Sequence, residues 1–210
     1  MIKKFTLYEH WKGLCSRTGI KDASLLYDKL KAAYESSKNG YHSLENHILP
    51  GLMDINDVIH MVEFPHALKF AWFLHDSVNV PGSKTNEEDS VSFAYDLLAN
   101  QGLNNYFLLM IGNNIIATDH FNVEPKTLDE KIIVSVDLAP LGLPPEEFDR
   151  NTALKRNEYK MYSDEEFKKR TIEICKYFLD KETIYPIKEF EDKYESQARE
   201  NMKRVIKEYS

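Results

Sequence analysis

The chain predicts an all-α fold, a helical bundle in a single domain, and three observations carry that expectation. Apolar residues recur with a helical period along most of the 210 residues. No segment sustains the strict alternation of a half-buried strand. Glycine and proline fall between the apolar stripes, where they punctuate helices, and not within them.

Taken in order, Phe5, Tyr8, Trp11 and Cys15 form one stripe of a first helix. Leu25, Leu26, Leu30, Ala33 and Tyr34 form a second, which frays in the breaker run Ser36-Ser37-Lys38-Asn39-Gly40. A third starts near Tyr41-His42 and continues through Leu44, Ile48, Leu52 and Ile55, with Pro50-Gly51 as an irregularity. Ala67 to Val78 is apolar on nearly every side and predicts a central, fully buried helix. Asn86 caps the next, led by Glu87, Glu88 and Asp89 at the positive end of the dipole and stopping at Gly102. Phe107 to Thr118 follows. Thr127-Leu-Asp-Glu130 and Ser163-Asp-Glu-Glu166 are capping boxes, each opening a helix. Two charged amphipathic helices, about 163–181 and 187–208, close the chain. With no repeat, low-complexity tract or linker, residues 1–210 read as one domain. Its core spans about 36–145, and C-terminal helices over 146–210 pack on it.

Composition narrows the function classes. The 42% apolar and 29% charged content is that of an ordinary globular protein, not a disordered one. A net charge of −7 without a lysine/arginine block disfavours nucleic acid or an acidic membrane as the main partner. A small phosphorylated ligand needs only a local positive site and stays open. Cys15 and Cys175 have no paired spacing and are expected to be buried free thiols in a reducing cytoplasm. Met1 to Lys12 has no apolar signal core, and no run approaches a bilayer-spanning length, so a cytoplasmic location is expected. A homo-oligomer is compatible with all of this.

Four places put metal-binding side chains inside apolar, helix-forming context: His42, the pair His75-Asp76, His120 and Asp137. Asp137 interrupts the apolar stretch Ile132 to Leu143 and could equally cap a turn or pair with a base. His42 could be a half-buried histidine donating to a carbonyl. His47, five residues on, lies about 140° round a regular helix from His42, so the two would not share one ion from such a helix. His75-Asp76 ends an apolar run, where a buried charge is costly unless paired or bound to an ion. Imidazole and carboxylate are both suitable ligands for a borderline or hard divalent metal.

The order His…His-Asp…Asp, one element at a time on an all-helical chain, resembles the HD superfamily of metal-dependent phosphohydrolases. The chain looks most like a small subgroup with YHNLxHI, WFHDAVY, NEE, ATxxH, DL and RxEY segments. Here they stand as Y-H-S-L-E-N-H-I (41–48), A-W-F-L-H-D-S-V-N (71–79), N-E-E-D-S (86–90), A-T-D-H (117–120), V-D-L-A-P-L-G (136–142) and R-N-E-Y (156–159). The later I-Y-P (184–186) and A-R-E-N (198–201) also fit, so the similarity runs from Trp11 onward. Ser43 stands where the subgroup has asparagine, Leu74 where it often has phenylalanine, and Asn79-Val80 where it often has Tyr-Asp. The last changes the rim of the pocket and bears on substrate choice.

The resemblance implies an HD-type domain and a metal site of His42, His75, Asp76 and Asp137. The ion would be a divalent Mn, Fe, Co, Mg, Ni or Zn with open positions for water and a phosphate oxygen. The activity implied is hydrolysis of a phosphate ester of a small molecule, with a nucleotide the first choice, by a metal-activated water. Glu87 is the expected general base, or a dipole-stabilising acid. His120 is the expected proton donor, phosphate contact or second-metal ligand, or else a packing histidine. His47, Lys155 and Arg156 are expected to hold the substrate, the bland alternative for Arg156 being an Arg-Glu pair on a solvated helix. Alarmone hydrolases of this superfamily carry H-D-x-x-E-D, and H-D-S-V-N-V departs from it. The alternative function is a non-catalytic HD-fold module binding a nucleotide or a protein.

Overall fold

The computed structural model describes residues 6–210, and Phe5 of the first stripe lies outside them. Among the described residues the fold is all-helical. The α-helices are α1 Leu7–Arg17, α2 Ala23–Ala33, α3 Leu49–Asp57, α4 Pro65–Leu74 and α5 Asn86–Leu98. They continue with α6 Asn105–Ile116, α7 Leu128–Leu138, α8 Pro145–Glu158, α9 Asp164–Leu179 and α10 Lys188–Tyr209. A π turn, Leu44–Ile48, leads directly into α3, and a 3-10 turn, Ala139–Gly142, follows α7.

The α4 helix is the hub. Ala67, Leu68 and every residue from Phe70 to Leu74 are buried, as expected of a stripe apolar on all sides. It packs on α1, α3, α5, α6 and α7. The α10 helix packs on α9 and on the 139–142 turn, where Asn201 donates to the carbonyls of Leu141 and Leu143 at 2.9 and 2.8 Å. Both expected capping boxes are present, at Thr127/Glu130 and Ser163/Glu166, and Thr6/Glu9 makes a third at α1. Cys15 and Cys175 are free and buried. No helix among the described residues is long and apolar enough to cross a membrane.

Several boundaries differ from the sequence expectation, each for a local reason. The third helix does not start at Tyr41-His42; Ser43 is its cap, accepting from the Asn46 amide at 3.1 Å. Either serine or the asparagine of the resembled segment serves as a cap. The α4 helix stops at Leu74 and leaves His75 as its C-cap. Asn86 does not cap α5: its side chain is spent clipping the preceding loop, bonding both N–H and C=O of Val80. That helix ends at Leu98, and the turn beyond it holds Asn100 and Gly102 in the left-handed region. Leu25, read as part of a buried stripe, is 58% exposed. Its neighbours Leu26 and Leu30 alone carry the buried face of α2.

Two close approaches place α4. Asp129 on α7 is buried, and its carboxylate accepts from the amides of Glu63 and Phe64, both at 2.8 Å, just before α4 begins. At the other end, α3 and α4 meet at Gly51, where a Cβ would lie 2.0 Å from Cζ2 of fully buried Trp72. Because that ring is locked, Gly51→Ala is expected to cost about 1–3 kcal/mol by overpacking. A melting curve should show a drop of roughly 2–12 °C.

Candidate metal centre

The centre is assembled by irregular backbone held between regular elements. Pro50 lacks an amide hydrogen, and its ring would press on the carbonyl four residues back, so a regular α-turn cannot run through it. The turn before it is instead the wider π form, with the Leu49 amide bonded to the Leu44 carbonyl. His47 sits in this turn, 3% exposed, its ring 4.9 Å from Tyr41 and 4.9 Å from Trp72. The Trp72 indole donates to the Ile48 carbonyl at 2.8 Å and so pins the turn to α4.

His75 follows one step beyond α4. Its Nδ1 lies 2.9 Å from the Trp72 carbonyl, which assigns a proton to Nδ1 and turns Nε2 toward the centre. The ring stacks on Trp72 at 4.5 Å and 21°. Asp76 is next in chain, and Asp137 comes from the last turn of α7.

These groups converge. His47 Nε2 is 3.1 Å from His75 Nε2, 3.0 Å from Asp137 Oδ1 and 3.4 Å from Asp76 Oδ2. His75 Nε2 is 3.2 Å from Asp76 Oδ2 and 3.6 Å from Asp137 Oδ1. His47, His75 and Asp137 form a group able to hold a metal ion. Asp76 Oδ2 is buried beside them without a hydrogen-bond partner. An orphaned carboxylate oxygen facing two imidazole Nε2 atoms is the arrangement a divalent cation satisfies once those atoms give up their protons.

The electrostatics agree with that need. Burial works against charge on Asp76, yet the neighbouring His75, His42 and His47 hold its carboxyl below the usual range. Burial likewise opposes charge on Asp137, but bonds from His120, His47 and His75 keep it well below that range. Burial alone would lower His75; the charge of Asp76 and bonds to Asp137 and Asp76 raise it well above its ordinary value. His47 is lowered by its burial. Two buried carboxylates thus stay ionised and call for a positive partner at this spot, either a proton or a metal ion.

His42 does not join this group. Its backbone amide donates to Glu158 Oε1 and its Nδ1–H to Glu158 Oε2, both at 2.7 Å. Its ring stands beside His47, with centroids 5.8 Å apart. His47, and not the expected His42, therefore stands with His75 and Asp137. No single regular helix runs through both residues: His42 precedes the cap and His47 lies in a π turn.

His120 meets the centre from the α6–α7 connection, with Nε2 2.7 Å from Asp137 Oδ2. Its Nδ1 is buried without a partner, and its carbonyl accepts from the Tyr177 hydroxyl at 2.6 Å. Lys155 stands over the Tyr41 ring, 4.3 Å from Nζ to centroid. Burial lowers its ammonium, while Asp137, Glu158 and Asp76 pull the other way, which places it within the field of the centre. Glu87 is half-buried in the first turn of α5. Burial raises its carboxyl above the ordinary value, and the charges of Asp119 and Asp76 add to that.

Arg156 is committed elsewhere. It donates to Asp164 Oδ1 at 3.0 and 2.7 Å and to the carbonyls of Tyr159 and Tyr162 at 2.9 and 3.1 Å, closing the turn from α8 to α9. From R-N-E-Y it is Glu158 that turns inward, to His42 beside the centre. Its carboxylate lies against Gly40, where a Cβ would sit 2.2 Å from Oε1. The signal was the glutamate of that segment together with the glycine two residues before His42.

No family model matches the chain, and no curated protein or solved structure matches it either. Its function is read from the site itself.

Proposed function

We propose that the protein is a metal-dependent phosphohydrolase acting on a phosphate ester of a small molecule, with nucleotides the first class to test. One observation carries the reading: His47, His75, Asp76 and Asp137 converge at a buried point, and one carboxylate oxygen there has no protein hydrogen-bond partner. These four side chains would hold the ion. When bound, it supplies Lewis acidity toward the phosphoryl oxygens and the attacking water.

The remaining residues take the other tasks. Glu87, with its carboxyl raised by burial, is suited to accept the proton of the attacking water. His120 gives Nε2 to Asp137 and so acts as a positioning residue, holding that carboxylate toward the ion. His42, its Nδ1 proton fixed on Glu158, keeps Nε2 for a phosphate oxygen or for the leaving group. Lys155 offers the cation that an acidic protein needs beside a phosphate. Arg156 organises the α8–α9 turn instead.

The test is a hydrolysis screen over phosphomonoesters, nucleotides and cyclic nucleotides with Mn²⁺, Mg²⁺ and Co²⁺, run beside elemental analysis of the purified protein. Bound divalent metal with turnover of one class is the expected result. Bound metal without turnover of any class favours a non-catalytic module. A protein that neither retains nor takes up divalent metal overturns the proposal. Glu158→Gln is expected to lower turnover about 10–100-fold, because it weakens the group that orients His42, with metal content unchanged.

A further inference from the structure

A concavity lies along one side of α4, with Pro65, His66, Lys69 and Phe73 on its wall. It is a groove of about 550 Å³ between α1, α3 and α4. Leu14, Leu52 and Phe73 supply apolar lining, and its rim carries Arg17, His66 and Lys69 together with His10 and Glu9. The volume is that of an ordinary small-molecule site.

The charges there run against the rest of the molecule. The chain carries −7 overall, yet this groove gathers two permanent cations and two histidines against one carboxylate. Glu9 is engaged in the cap of α1, accepting from the Thr6 amide at 2.7 Å. No carboxylate among the described residues makes an ion pair with Arg17, His66 or Lys69; Lys69 donates only to the neutral Asn56 side chain, at 2.6 Å. Arg17, at the C-terminal turn of α1, is well placed for that helix's dipole. His66 and Lys69 are not, because they occupy the first turns of α4, its positive end, where the first turn has no acidic residue of its own. Asp129, a buried carboxylate at that end, is already bonded to the amides of Glu63 and Phe64, and Glu63 itself is exposed to solvent. Burial, and then the charge of Arg17, lower both Lys69 and His66 from their ordinary values.

We propose that this groove binds a small phosphorylated anion, gripped by Arg17, Lys69 and His66. Such an anion would neutralise the converging cations and complement the positive end of α4. The planar fork of Arg17 suits phosphate oxygens, and the Lys69 ammonium serves as a point charge. The half-buried Ile59 and Pro65 on its wall would take the apolar body of the same molecule. This site is distinct from the metal centre and does not depend on the hydrolytic reading.

The probe is inorganic pyrophosphate in isothermal titration calorimetry with the full chain in a chelating buffer, which keeps divalent metal out of the measurement. The proteins compared are wild type, Arg17→Met/Lys69→Met and Asp137→Asn. Methionine keeps the packing of both stems while removing the charges. Wild type is expected to bind saturably, the double variant at least tenfold more weakly, and Asp137→Asn within threefold of wild type. Arg17→Met alone changes an exposed side chain and should weaken binding at least threefold, which keeps the test valid if the double variant misfolds. Absence of saturable binding to wild type overturns the proposal. So does equal affinity in the folded arginine and lysine variants, or loss of binding in Asp137→Asn alone. Metal content of the same preparations reports on the metal centre separately.

Discussion

His47→Ala is expected to leave the protein without stoichiometric divalent metal and with hydrolysis at background, whereas His42→Ala is expected to keep the metal and lose turnover. The two histidines are five positions apart in one short segment, and their rings touch, yet their tasks differ. His47 Nε2 is within 3.4 Å of His75, Asp76 and Asp137, the only arrangement of this segment that adds a fourth ligand. His42 has its Nδ1 proton committed to Glu158 and can act only through Nε2, outside the ligand group. Removing a ligand abolishes the ion's hold, while removing a proton donor or phosphate partner costs about 10²–10⁴-fold in rate. Elemental analysis and steady-state assays on both variants, with far-UV circular dichroism to confirm folding, separate the two. Metal lost from His42→Ala and kept by His47→Ala would return the first ligand to His42.

The second large effect concerns stability and lies away from the centre. Asp129→Ala is expected to cost about 2–5 kcal/mol in chemical denaturation, because two partly buried amides lose a charged acceptor at once. Those amides, of Glu63 and Phe64, precede Pro65 and have no helical partner of their own; Phe64 N is the last donor before a residue that has none. Asp129→Asn keeps one acceptor oxygen and should cost less than the alanine change. Equal stability of wild type and Asp129→Ala would show that water replaces the carboxylate. The effect should also reach function, since His75 and Asp76 directly follow the far end of α4.

The architecture was legible because most of its signals are local. Periodic stripes, capping boxes and an all-apolar α4 each need only a few neighbouring residues to be recognised. Leu25 misled because helical spacing marks a face without saying how wide the buried part of it is. Asn86 misled because a good capping residue was claimed instead by the backbone of Val80, six positions back.

The site was legible by residue type and less so by role. His75, Asp76 and Asp137 were found because carboxylates and imidazoles stand out against apolar surroundings. That His47 joins the group could not be read from angles on a regular helix, since Pro50 forces a π turn between the cap and α3. Arg156 drew attention as the cation of its segment, but a guanidinium satisfies three partners at a nearby turn more readily than it crosses to the centre. Glu158 reaches His42 only because Gly40, 118 positions earlier, has no side chain, and no local pattern announces such a pairing.

The stacking of Trp72 on His75 has an optical consequence. The chain has two tryptophans, Trp11 and Trp72, and both are buried, so the emission of both should be blue-shifted and shielded from solvent. Only Trp72 lies face to face with a histidine of the centre, at 4.5 Å. An open-shell ion such as Co²⁺ held by that imidazole should darken Trp72 and leave Trp11 bright. A Trp11→Phe variant would then report loading of the centre by fluorescence alone, in real time and without any substrate.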